Sequence, residues 1–176
     1  QEPTAEAIEK TKVEREDDLN IYRHNLNYFI WGEPDAKVQF SFKSKIIQSW
    51  DLYFAYSQVM FWNLDKKSLP FSDVNYNPEL LYRWYMNNGI LKGIDFGAYE
   101  HRSNGRDGLA SRSWNRSYVN FRTEFRLFGF QTHWDTKLFY LYGLDRTNRD
   151  IGSKLGFVDS SYSILNLLPS VFPESE

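Results

Sequence analysis

The chain contains no cysteine. That excludes a disulfide framework, a thiolate metal centre and a cysteine nucleophile. It also suits a chain that crosses an oxidising compartment, where free thiols would mispair. A basic excess is missing too: the formal net charge is −2, which argues against nucleic acid as a partner. No apolar run approaches the roughly 18 residues of a membrane helix. Gln1 to Lys10 lacks the basic-then-apolar pattern of a secretory signal, so the expectation is a numbering that begins after cleavage. Internal repeats and low-complexity tracts are absent. These absences leave two classes open. One is a soluble β-rich domain; the other is a membrane β-barrel, whose strands alternate and never show long apolar runs.

What the sequence has in abundance is aromatic side chains, with 14 Phe, 12 Tyr and 6 Trp. They recur with a period of two, which predicts strands. Val38, Phe40 and Phe42 alternate with Lys37, Gln39, Ser41 and Lys43. Trp50, Leu52, Phe54 and Tyr56 share one face, as do Leu80, Tyr82, Trp84 and Met86. In the stretch from Ser117 to Gly129, Val119, Phe121, Phe125 and Leu127 oppose Asn120, Arg122, Glu124 and Arg126. Trp134, Leu138, Tyr140 and Tyr142 oppose His133, Asp135 and Lys137 in the same way. Rows of large polar groups need water or one another, and a packed sandwich core hosts them at high cost. An apolar exterior around a polar lumen accounts for them, and the fold class expected is all-β, an antiparallel transmembrane β-barrel.

About seven or eight strands are legible. Asp65-Lys66-Lys67 and Asn87-Asn88-Gly89 read as hairpin breaks between antiparallel neighbours. Residues 1–20 are expected to form a flexible leader, 21–163 a β-barrel segment with the active site, and 164–176 an irregular tail containing Pro169 and Pro173. Trp62, Trp84, Trp114 and Trp134 are expected in an interfacial belt. Arg106, Arg112 and Arg116 are expected on a solvated loop face. His24 and His133 show no metal-ligand spacing and read as structural or lumenal.

The chemistry concentrates in Tyr99-Glu100-His101-Arg102-Ser103-Asn104-Gly105-Arg106 and Ser111-Arg112-Ser113-Trp114-Asn115-Arg116. On a strand, His101 and Ser103 project from one face. A hydroxyl beside an imidazole is the minimum for a nucleophile with its general base. Asn115 can fix the imidazole tautomer with its amide oxygen. Its parity matches Val119 and Phe121, the apolar set of its strand. In the strand before, Ile94 and Phe96 have the opposite parity to Tyr99, His101 and Ser103. A one-residue bulge near Gly97-Ala98 would reconcile the two.

The run from His101 through Arg106, with Ser111 to Arg116 at that spacing, resembles the outer-membrane phospholipase A family. Asn25 to Ile30, Tyr56-Ser57-Gln58, Pro70-Phe71 and Asn75-Tyr76-Asn77-Pro78 carry further likeness, so that the resemblance covers roughly Ile21 to Val158. It implies hydrolysis of acyl esters of glycerophospholipids in the outer membrane of a Gram-negative-type bacterium. Ser103 would be the nucleophile, His101 the base and Asn115 its holder, with the Gly105 N–H facing the oxyanion. It implies calcium (Ca2+), held by the Arg106 carbonyl, the Ser111 hydroxyl and Ser68 of a second subunit, and hence activity as a homodimer with Gln58 at the interface. The family barrel has twelve strands, so the expectation here is an incomplete barrel, truncated at the C-terminal end. Two rival readings remain: an inactive barrel with a relic site, and a soluble aromatic-rich β-sandwich that binds carbohydrate.

Overall fold

The alternation resolves into one antiparallel sheet whose apolar side faces out. The computed structural model describes residues 21–164. Two short strands, β1 (Ile21–Tyr22) and β2 (Tyr28–Ile30), both pair with β3 (Asp35–Lys45). Then follow β4 (Leu52–Asn63), β5 (Phe71–Asn88), β6 (Leu91–Ser103), β7 (Ser113–Leu127), β8 (Phe130–Tyr142) and β9 (Val158–Ile164). From β3 onward each strand pairs with the next in sequence, a plain meander. A short helix, α1 (Arg149–Leu155), interrupts the connection from β8 to β9. No helix among the described residues is long and apolar enough to cross a membrane. The expectations for residues 1–20 and for the tail beyond Ile164 fall outside the described residues.

The convex face carries Phe40 (53% exposed), Phe54, Tyr82, Trp84 (55%), Phe96, Leu138 and Tyr140 (74%). The concave face buries Ser41, Glu79, Arg83, Asp95, Glu100 and Asn120. These polar groups are paired. Arg83 forks onto Asp95 at 2.6 and 2.9 Å, and Arg116 forks onto Glu100 at the same two distances. His24 meets Glu79 at 3.0 Å, Tyr118 donates to Glu79, and Ser41 meets Ser57 at 2.7 Å. Asp35 Oδ1 is the one buried side-chain polar atom without a partner among the described residues. Losing one member of a buried ion pair costs about 3–5 kcal/mol, because the other charge is stranded. This inside-out distribution is that of a transmembrane barrel wall. A second packed sheet is absent among the described residues, which removes the sandwich reading.

Trp31 and Trp62 sit toward one end of the strands, and Trp50, Trp84 and Trp134 toward the other, as two aromatic belts would. Four expectations need correction. Trp114 is not in a belt: it is buried on the concave side, its ring 4.9 Å from the Arg116 guanidinium. Arg116 therefore belongs to the lumen, not to a solvated loop face. Trp50 falls in the β3–β4 turn rather than in a strand. The β5–β6 turn is Gly89-Ile90, one step beyond the expected Asn87-Asn88-Gly89.

Candidate active site

The parity conflict in β6 is resolved by a bulge. Leu81 faces Gly97 but Leu80 faces Tyr99, so Ala98 is extra on the β5 side. On the β7 side the register likewise shifts by one between Gly97↔Tyr118 and Glu100↔Arg116. Beyond it Tyr99, His101 and Ser103 point to the convex wall, while Glu100 and Arg102 point to the concave pocket. His101 then stands directly opposite Asn115.

His101 Nδ1 is 2.7 Å from Asn115 Oδ1. The amide is oriented by its other end, since Asn115 Nδ2 donates to the Tyr142 carbonyl at 3.4 Å and that oxygen can only accept. Oδ1 also only accepts, so Nδ1 of His101 must carry the proton. Nε2 of the neutral ring is left as the basic nitrogen. The Tyr99 ring stacks parallel to the imidazole at 6.3 Å. Ser103 ends β6 between Tyr76 and Ser113. Its Oγ accepts the Gly105 N–H at 3.0 Å, and among the described hydrogen bonds none joins it to His101. All three side chains are half-buried.

The β6–β7 loop is organised by a residue that the sequence reading passed over, Asn104. Its Oδ1 accepts the backbone N–H groups of Arg106 and Arg112, and its Nδ2 donates to the Ala110 carbonyl at 2.9 Å. Asn-Gly is a turn signal, and that signal could have found it. Gly105 turns the chain with φ +66, where a Cβ would come 2.9 Å from the Tyr76 ring. Arg106 donates to the Ser72 carbonyl at 2.8 Å and pairs with Asp73 at 3.4 Å, tying the loop to β5. Arg112 reaches the Thr147 carbonyl at 3.2 Å, and Ser113 N–H donates to Asn148 Oδ1 at 3.3 Å, so the β8–β9 connection is fastened beside the site. Asp145 anchors that connection, and the Thr147 hydroxyl bonded to it is the main cause holding its carboxyl below the usual range.

Among the described residues no group of three or more His, Asp or Glu side chains converges on a point. The Arg106 carbonyl and the Ser111 hydroxyl accept no hydrogen bond among the described residues, and both belong to the exposed loop that Asn104 shapes. They are uncharged oxygens, of the kind a hard cation such as calcium takes. Ser68 is exposed in the β4–β5 turn at the same end of the sheet, without a hydrogen bond to that loop. Gln58 is on the convex wall between Phe40 and Tyr76, its Oε1 accepting from Tyr56 at 3.0 Å.

Gly143 was also missed, since nothing local marks it. It has φ +66, and a Cβ there would come 2.6 Å from Asn115 Nδ2. Gly143→Ala would place a side chain in left-handed backbone, at about 1–2 kcal/mol, and would push the Asn115 amide aside. Turnover is expected to fall about tenfold, equivalent to about 1.4 kcal/mol in the barrier. Steady-state kinetics per folded molecule checks it.

With this geometry in hand, comparison with known proteins is decisive at the level of the family: the family model described as phospholipase A1 matches residues 6–164. The chain belongs to the phospholipase A1 family. The phospholipase A1 of Klebsiella pneumoniae is 36% identical over 111 residues, covering 58% of this chain and 36% of that relative. The chain thus spans little more than a third of the curated relatives' length. Its fold matches the outer membrane phospholipase A from Escherichia coli with a TM-score of 0.68 and 26% identity, over 81% of this chain and 70% of that one. A second match is the Salmonella typhi outer membrane phospholipase, solved as a dimer with bound calcium. Its TM-score is 0.70 and its identity 25%, over 86% of this chain and 70% of that one. The sheet is accordingly an incomplete barrel of the outer-membrane phospholipase type.

Proposed function

We propose that this member of the family hydrolyses acyl ester bonds of glycerophospholipids in the outer membrane, with Ser103, His101 and Asn115 as its triad. The observation that carries the reading is the 2.7 Å bond from His101 to Asn115 on an apolar wall that also presents Ser103. Ser103 Oγ attacks the acyl carbon as its proton passes to His101 Nε2. Asn115 holds the ring so that Nε2 faces the hydroxyl. The tetrahedral centre collapses, the ester C–O bond breaks, and the proton goes from His101 to the departing lysolipid alkoxide. Water, deprotonated by the same nitrogen, then cleaves the acyl-serine and releases a fatty acid. The Gly105 N–H, at rest on Ser103 Oγ, is beside the carbon under attack. Once that oxygen bonds to the acyl carbon, the N–H is free to donate to the oxyanion.

Calcium completes the proposal. The Arg106 carbonyl and the Ser111 hydroxyl would hold it, with Ser68 of a second subunit. When bound it supplies positive charge and a polarised water near the oxyanion. Gln58 supports the dimer, because an amide on a lipid-facing wall gains from pairing across subunits. Treatment of the detergent-solubilised chain with a calcium chelator is expected to lower phospholipid hydrolysis by on the order of 10²-fold or more, as loss of oxyanion stabilisation does. Added calcium should restore it and magnesium should not. Hydrolysis at full rate in chelator would sink the metal's role. A relic site would instead show no labelling of Ser103 by a sulfonyl fluoride.

A further inference from the structure

The triad faces outward, but the groups directly behind it face the lumen and are joined by a forked ion pair. We propose that Glu100 and Arg116 are positioning residues, a lumenal ion pair that, with Asn77, holds His101 and Asn115 in hydrogen-bonding register from behind. This rests on the reading of His101 and Asn115 as catalytic groups.

Register is the first argument. The bulge at Ala98 shifts β6 by one residue against both neighbours, and a one-residue error reverses which side chains face out. Glu100↔Arg116 is the first aligned pair after the shift on the β7 side, and His101↔Asn115 is the next. A side-chain bond across the first pair fixes the second, because each pair shares its backbone with its neighbour.

Rigidity is the second. Arg116 Nε donates to Glu100 Oε2 at 2.6 Å and Nη2 to Oε1 at 2.9 Å, a planar fork that a single bond could not match. Glu100 is 2% exposed. Lys137 adds a contact to it at 3.6 Å, and the rings of Trp114 and Phe139 stand 4.9 and 4.7 Å from the guanidinium. Arg116 is thus caged as well as paired. A buried ion pair adds little net stability over well-packed apolar groups, so what this one contributes is geometry.

The third argument is a missing donor. Carrying the register from Tyr76↔Ser103 to Glu79↔Glu100 sets Pro78 across from His101, and proline has no N–H to give. Asn77 makes up the loss from the lumenal side. Its Nδ2 donates to the His101 carbonyl at 2.8 Å and to Glu100 Oε1 at 3.3 Å. The ion pair and the backbone of His101 therefore form one bonded unit.

The test compares the wild-type chain, Glu100→Gln, Asn115→Ala and the double variant, solubilised in detergent with calcium. kcat is counted per serine titrated by a sulfonyl fluoride, and 15N shifts of the His101 ring report its tautomer. Glu100→Gln is expected to lower kcat about tenfold with KM within about twofold, and to mix the two tautomers. In the Asn115→Ala background the same change should alter kcat by less than about twofold, because coupled groups are not additive. A purely structural role would reduce the titratable serine and leave kcat per serine intact. Arg116→Lys keeps the charge without the fork; it should behave alike, and it stands in if Glu100→Gln does not fold. Unchanged kcat and tautomer in a folded variant, or full additivity, would overturn the proposal. If the wild-type chain shows no turnover the hydrolase reading fails instead, and the ring shifts alone decide the clamp.

Discussion

Ser103→Ala is expected to cut phospholipid turnover by on the order of 10⁴-fold or more, since in the proposed mechanism its hydroxyl forms the covalent bond. The residue is half-buried at the end of β6, and among the described residues its Oγ makes one hydrogen bond, to the Gly105 N–H. Its removal therefore costs little folding energy, and the variant should melt close to wild type. His101→Ala should match it in kcat, and the double variant should be no worse than either, because nucleophile and base act as a unit. Asn115→Ala should be milder, about 10²-fold, because a fraction of the rings retains the productive tautomer without its holder. Initial rates on a soluble acyl ester and on mixed micelles give the series. A Ser103→Ala chain within about tenfold of wild type would rule out the triad.

The second large effect concerns folding. Gly97→Ala puts a methyl group inside the Tyr118 ring, with Cε1, Cδ1 and Cζ all in collision. Tyr118 cannot yield freely: it is buried, its hydroxyl donates to Glu79, and Lys137 rests 3.9 Å over its ring. Overpacking costs about 1–3 kcal/mol, and loss of a hydrogen bond to a charged acceptor about 1.5–3 kcal/mol more. A destabilisation of about 3–5 kcal/mol is expected in urea unfolding, which is enough to unfold a marginal protein. In a Tyr118→Ala background the same substitution should cost less than about 1 kcal/mol, since the methyl group then enters the space the ring vacates. Equal costs in the two backgrounds would refute the collision.

The long strands were legible because a lumen and a lipid-facing wall impose opposite chemistry on alternate residues. The bulge was legible for the same reason, as a break in parity between Phe96 and Tyr99. That His101 stands beside Asn115 was legible from one short motif plus parity. What escaped were contacts made across loops. Asn104 bonds to Arg112, Asn148 to Ser113, and Gly143 makes room for Asn115. None of these carries a periodic signal. The strands β1 and β2 are too short for alternation to register. Trp114 and Arg116 misled because residue type favours belts and solvent. Glu100, the partner of Arg116, is on another strand and invisible to a local reading.

The meander has a consequence for assembly. His101 and Asn115 belong to a single hairpin, Leu91 to Leu127, flanked on each side by strands that are its immediate neighbours along the chain. Contacts this local cost little loop-closure entropy and form early. The pair can therefore take shape before the outermost strands arrive, and its geometry is insulated from how the two rims of the sheet are finally completed.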